Sequence, residues 1–339
     1  MTTILTQLTL STALIVIAGL SLAKSAERIA ELTGWGRMFV GALFLAGATS
    51  LPELIVDLRS IRVGLPDLAT GDLLGSCLFN LLILALLDFG YPSKFRRTSF
   101  SPKFLHHSLA AVLTMVLTSL VGIAIASGSA LSVFGVSVFL WGVMFFYLYG
   151  VRLILMDGRA ENTMTGPGEA KSDSSLPKSF ELFRAFAGYA LSSCIILGTA
   201  PSLVDAADQV AIRMNLGHSF VGTTLVALTT SLPELIATLA AFRIGSPDLA
   251  IGNIFGSNAF NIMLFVPLDF MAPGVLFASV QPTHAVTAFS VVIVTGIAVM
   301  GQIYRKKERS RFSEPSSETV VVMIFLFLLF LYFVKDQRR

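Results

Sequence analysis

Charge is the scarcest ingredient of this sequence. Asp, Glu, Lys and Arg make up only 13% of its 339 residues, about half the ~25% usual in soluble domains. That shortage excludes an ordinary soluble enzyme. Cysteine is nearly absent: Cys77 and Cys194 both fall in apolar segments, so neither a disulfide framework nor a cysteine zinc site is encoded. The four histidines, His106, His107, His218 and His284, form no ligand cluster by spacing. The two tryptophans, Trp35 and Trp141, read as membrane-interface anchors. Against 24 Lys+Arg stand 21 Asp+Glu. A net charge of +3 without an aromatic-rich basic tract gives nucleic acid nothing to bind.

What remains is apolar: 54% hydrophobic residues and a mean hydropathy of +0.78. About 20 apolar residues cross the hydrocarbon core. On that basis we read ten spans, near 4–23, 37–63, 66–90, 104–124, 130–150, 181–203, 217–243, 246–270, 283–304 and 318–334. The first lacks the basic flank and small-residue cleavage site of a signal peptide and reads as a retained span. The polar stretch 151–180, rich in Gly, Ser and Pro, reads as a linker between halves 1–150 and 181–339. Of the 24 Lys and Arg, only Arg59, Arg62, Arg213, Lys335, Arg338 and Arg339 fall on the side of the even-numbered connections and the termini. The positive-inside rule then makes the odd-numbered connections and the linker cytoplasmic. Both termini face outward from the cell (inner) membrane.

The chain repeats itself. Residues 41–89 align without a gap on 222–270 at a constant offset of 181, and 24 of the 49 positions are identical. The shared blocks are TSLPELI (49–55 and 230–236), PDLA (66–69 and 247–250) and GDLLGSCLFN against GNIFGSNAFN (71–80 and 252–261). Identity concentrates on polar residues, which packing in lipid does not need. An odd number of spans separates the copies, so they cross the membrane in opposite directions. That is the inverted-repeat plan of secondary transporters, with a site near the midplane between repeats.

Glu53 and Glu234 fall near the middles of spans two and seven. A carboxylate there costs roughly 2.5–3.5 kcal/mol on insertion scales and marks a functional site by default. Pro52 and Pro233 precede them; each removes a helix hydrogen bond and frees a carbonyl. Helical spacing puts Thr49 and Ser50 on the face of Glu53, and Thr230 and Ser231 on that of Glu234. Asp72, Ser76 and Asn80 step by four along span three, as Asn253, Ser257 and Asn261 do along span eight. Gly71, Gly75, Gly252 and Gly256 allow close helix approach. The donors are all hard oxygens, which in number suit Ca2+, and no His or Cys cluster suggests a transition metal. Two glutamates match the charge of one Ca2+ or two Na+.

At these residues the sequence resembles the sodium/calcium exchanger family, within the cation/calcium exchanger superfamily. GATSLPEL (47–54) and LTTSLPEL (228–235) are similar to the first blocks of that family's two alpha repeats, and 71–80 and 252–261 to the second blocks. The resemblance implies an all-α membrane protein of about ten helices in two inverted five-helix repeats. It implies that Glu53 and Glu234 coordinate Ca2+. Thr49, Ser50, Thr230 and Ser231 would line the Ca2+ and flanking Na+ positions, with backbone carbonyls from Ala46 and Ala227. Ser76, Ser257 and Asn80 would complete the sites. It also implies that spans one and six slide against the other eight. Asn261 stands where some members, including potassium-dependent ones, carry Asp, which argues against K+ dependence. Asp72 replaces an Asn that its mate Asn253 keeps. It reads either as a neighbour of the ligands or as a compensating carboxylate, and so joins the candidate set. Cys77 replaces the Asn of GSN and reads as a packing change.

Other acids have plainer readings. Asp67 and Asp248 sit where helices begin and favour the dipole. Asp57 pairs with Arg59 or Arg62, or lines an outer vestibule, and Asp88 and Asp269 are interfacial. The expected function is Na+-driven Ca2+ export by alternating access, without a cofactor and with a monomer sufficient in the lipid bilayer. A proton-driven exchanger carrying H+ on Glu53, Glu234 or Asp72 is the alternative. A membrane enzyme would need a nucleophile or metal cluster that is lacking and would leave the inverted symmetry unexplained. A passive channel would not need paired broken helices.

Overall fold

The computed structural model describes residues 2–90, 104–165, 177–213, 228–303 and 324. The expected tenth span, apart from 324, lies outside them, as do the start of span seven and residues 166–176 of the expected linker. The described helices are α1 (Thr2–Thr33), α2 (Arg37–Thr49), α3 (Leu51–Arg62), α4 (Pro66–Gly90), α5 (Phe104–Ser127) and α6 (Val138–Thr165), followed by α7 (Lys178–Arg213), α8 (Leu232–Arg243), α9 (Pro247–Met271), α10 (Leu276–Ser279) and α11 (Thr283–Ile303). Seven are long and apolar enough to cross a membrane, and α2 with α3, bent by 44° between them, makes an eighth span.

Helix α6 runs on to Thr165 and α7 starts at Lys178, so regular helix extends into both ends of the stretch read as a linker. Span five was expected from 130, but α6 begins only at Val138. Before it, Ser132–Val133 (β1) pairs antiparallel with Val136–Ser137 (β2). Phe134 and Gly135 both have positive φ, 52° and 78°, as a two-residue type I′ turn requires. Asp269 holds this hairpin: its carboxylate accepts N–H bonds from Ser137 and Leu276, each at 2.6 Å. It is 1% exposed, which corrects the interfacial reading.

The inversion is visible in what meets at each end of the bundle. At one end Ser246 donates to Glu27 (2.5 Å), Arg28 pairs with Glu181, and His107 sits 3.1 Å from Asp248. At the other, Gln7 donates to the Ser202 carbonyl (3.0 Å) and His284 sits 3.2 Å from Asp67, which also accepts the Gln281 N–H. The connections therefore sort into odd and even sets, as the span count requires. The two histidines, without a ligand pattern in sequence, each meet the Asp of one PDLA block. The short turns α3–α4 and α8–α9 lie at opposite ends and are built alike. Gly64 and Gly245 adopt φ of 78° and 88°, and Leu65 N–H and Ser246 N–H reach back to Ser60 O and Ala241 O. This is a Schellman-type stop that favours glycine.

Helices α4 and α9 form the centre: 83% of the apolar stretch of α9 is buried, against 22% of that of α7. Glycine lets α2 cross α9 backbone to backbone. A Cβ on Gly252 would come 2.7 Å from Met38 O, and one on Gly256 would come 2.3 Å from Ala42 Cα. Helix α1 packs along α7 at the periphery. Trp35 is partly buried and stacks on Phe44 at 5.4 Å, inside an aromatic cluster rather than standing free as an anchor.

Candidate ion-binding site

Each repeat breaks its first helix at the serine of the shared TSLPEL block. Ser50 (φ −91°, ψ 2°) separates α2 from α3, and Ser231 (φ −80°, ψ 4°) precedes α8. Pro52 and Pro233 stand in the first turn of the helix that follows, where their missing N–H would have no intrahelical partner anyway. Upstream of Ser50, residues Val40–Leu45 form a π-helical stretch, a distortion that recurs at functional sites. The breaks turn Glu53 and Glu234 into the first turns of α3 and α8, where helix N-termini favour negative charge.

The two halves interlock through these residues. Ser50 Oγ donates to Glu234 Oε1 at 3.0 Å, Ser231 Oγ to Ser76 Oγ at 3.0 Å, and Thr230 Oγ1 approaches Asp72 Oδ1 at 3.4 Å. Glu53, Glu234, Thr49, Ser50, Thr230, Ser231, Ser76, Asn80, Ser257 and Asn261 are all 0% exposed, and Asp72 is 1%. Buried polar groups normally find partners. Here Glu53 Oε1 and Oε2, Glu234 Oε2, Asn80 Oδ1, Ser257 Oγ and Asn261 Oδ1 have none. A desolvated acceptor without a donor is costly, and a bound cation removes that cost. Among the described residues no three of His, Cys, Asp and Glu converge as a ready metal cluster. A cation held here would take most of its shell from hydroxyl, amide and carbonyl oxygens.

Two expected ligands are placed differently. The Ala46 carbonyl already accepts Ser50 N–H (2.9 Å) and Thr49 Oγ1–H (3.2 Å), so it is not free in this conformation. Thr49 Oγ1 also donates to Leu45 O at 3.1 Å. Ala227 lies outside the described residues. Asp57 is no surface ion-pair partner: it is 0% exposed, and Arg59 reaches Asp205 instead, at 3.8 Å.

Asn258, which helical spacing does not single out, also belongs to the central polar network. It and Cys77 are mates at the repeat offset, and they meet each other across the pseudo-two-fold axis. Asn258 Nδ2 donates to Cys77 O (3.2 Å) and Cys77 Sγ to Asn258 O (3.7 Å). Asn258 Oδ1 in turn accepts from Asn80 Nδ2 at 3.0 Å, which turns Asn80 Oδ1 free. The signal available in sequence was the position itself, inside GSN.

Two inverted helix sets, each bringing a buried glutamate and hydroxyls to a helix break at the bundle centre, define a membrane-embedded secondary transporter of cations. The family model described as sodium/calcium exchanger protein matches residues 3–156 and 184–335. The chain belongs to that family, one of transporters rather than enzymes. It is 28% identical over 296 residues to the inner membrane protein YrbG of Escherichia coli (strain K12), covering 85% of this chain and 87% of that one. It is 32% identical over 153 residues to the sodium/calcium exchanger MaX1 of Methanosarcina acetivorans, covering 42% and 39%. A solved structure of the sodium-calcium exchanger NCX_Mj superposes with a TM-score of 0.70 at 20% identity, covering 96% of this chain and 97% of that one. The fold is thus that of a two-repeat exchanger, a multi-pass membrane protein.

Proposed function

We propose that this protein exchanges Ca2+ for Na+ by alternating access at one central site, with Na+ entering down its gradient and driving Ca2+ export. The observation that carries this reading is the pair Glu53 and Glu234. They come from mirror positions, both are fully buried, and one is tied to the opposite repeat through Ser50. The pair carries two negative charges, which one Ca2+ or two Na+ neutralise in turn. Thr49, Ser50, Thr230, Ser231, Ser76, Asn80 and Ser257 supply hard oxygens around it, with the Ala46 and Ala227 carbonyls entering when the helix breaks rearrange. Asn261, neutral, brings no carboxylate of its own, and K+ is not required.

Residues 1–150 and 181–339 act as two five-span halves joined by a cytoplasmic linker, with both termini outside. Helices α1 and α7, peripheral and packed on each other, move together against the centre formed by α4 and α9. A monomer suffices. The test is 45Ca2+ uptake into proteoliposomes loaded with Na+ and diluted into Na+-free buffer. Uptake that requires internal Na+ is expected. Uptake that ignores Na+ and follows a pH gradient would overturn Na+ coupling in favour of H+.

A further inference from the structure

The bundle buries more carboxyls than its central site uses. Asp57 follows Glu53 by one turn along α3, and Asp72 precedes Ser76 by one turn along α4. At 1.5 Å rise per residue, both lie roughly 6 Å from the level of the central ligands, toward the α3–α4 turn. Helices α3 and α4 pack on one another, and both carboxyls are buried between the central site and their turn. No N–H or O–H of the described protein donates to Asp57 Oδ1, Asp57 Oδ2 or Asp72 Oδ2, and Asp72 Oδ1 has only the long contact from Thr230. No Lys or Arg is buried among the described residues to balance them.

The second repeat shows what the scaffold itself requires at this contact. The mates of Asp57 and Asp72 are Thr238 and Asn253. They are equally buried, and Asn253 Nδ2 donates to Thr238 Oγ1 at 2.8 Å. A neutral pair joined by one hydrogen bond therefore packs the same helix junction, with a single oxygen, Asn253 Oδ1, left unpartnered. In the first repeat two acids stand in its place and cannot satisfy each other as carboxylates. Packing does not account for them; a positive ligand does.

We propose that Asp57 and Asp72 form a second cation site, taking Ca2+, between the central site and the end of the bundle that carries the α3–α4 turn. Two carboxylates match the charge of the divalent ion, and hard oxygens match its chemistry. Thr230 touches Asp72 and also neighbours Ser231 in the central site, so one hydroxyl borders both positions. The site exists in one half only. Its counterpart at the opposite end is the neutral Thr238–Asn253 pair, so the two access routes differ electrostatically. That the site feeds a central Ca2+ position rests on the function proposed above; its existence does not.

The test is equilibrium 45Ca2+ binding to the full-length protein in detergent without Na+. The variants are Asp57→Thr with Asp72→Asn, which copies the neutral pair of the second repeat, and Glu53→Gln with Glu234→Gln. Wild type is expected to bind two Ca2+ at saturation and each double variant one. If the first variant aggregates on size exclusion, Asp57→Asn, which can still hydrogen-bond Asp72, is expected to give the same drop to one. Wild-type stoichiometry of one, or stoichiometry unchanged by either Asp57 variant, would overturn the proposal and leave a proton shared between the two acids. Loss of one Ca2+ in the aspartate variant with none lost in the glutamate variant would instead refute the central reading and leave this site standing.

Discussion

Replacing Gly256 by Ala puts a methyl group where α2 and α9 touch backbone to backbone. The added Cβ would lie 2.3 Å from Ala42 Cα and 2.4 Å from Ala42 O. Ordinary van der Waals contact begins near 3.4 Å, so α2 must withdraw by more than 1 Å. No flexible side chain can absorb that shift. Overpacking of this kind typically costs 1–3 kcal/mol, occasionally more, and the absence of a yielding neighbour places Gly256→Ala at about 3 kcal/mol. At 2–4 °C per kcal/mol for large domains, the thermal midpoint in detergent should fall by roughly 6–12 °C. The control is Gly198→Ala, also in a helix but with nothing within 4 Å of the new Cβ. It should be neutral or raise the midpoint slightly, because alanine is favoured over glycine by roughly 0.5–1 kcal/mol inside a helix. Helix α2 also carries Thr49 and leads into Ser50, so Gly256→Ala should lower 45Ca2+ uptake. Equal midpoints for the two variants would refute the close crossing.

Three further outcomes follow from single contacts. Asn258→Ala leaves Asn80 Nδ2 and Cys77 O without their partner, at about 1–3 kcal/mol per orphaned group. It should weaken Ca2+ binding by letting Asn80 turn, and unchanged affinity with unchanged stability would contradict the role given to Asn258. Asp269→Ala removes two charge-assisted bonds, each worth roughly 1.5–3 kcal/mol. Amide exchange should accelerate at Ser137 and Leu276, and unaltered protection would show that the carboxylate does not hold the hairpin. Addition of K+ to the assay medium should leave uptake unchanged, whereas an absolute K+ requirement would contradict the reading of Asn261.

The repeat, the eight described spans and the two glutamates were legible because they rest on local spacing: an offset of 181, helical periods and runs of apolar residues. What the sequence hid was long-range. Asp248 meets His107 and Asp67 meets His284 across 141 and 217 residues, distances over which periodicity carries no information. Asp269 was read as interfacial because it stands near a span end, yet its partners come from the β-hairpin and α10. That hairpin was itself obscured, since Phe134 is an unusual residue at positive φ. The burial of Asp57 does have a signal in the sequence. Arg59 and Arg62 follow it by two and five positions and so lie on other faces of the helix, whereas its mate Thr238 sits in the second repeat as an uncharged residue.

The central claim is that both halves build one ion site, and the two glutamates test it most directly. Sodium-driven 45Ca2+ uptake should be measured for Glu53→Gln, Glu234→Gln and the double variant, each reconstituted at equal amounts after size exclusion shows an intact fold. Residues in one network are non-additive, so each single change should abolish uptake and the double change should do no further harm. Substantial uptake by either single variant would contradict a shared site.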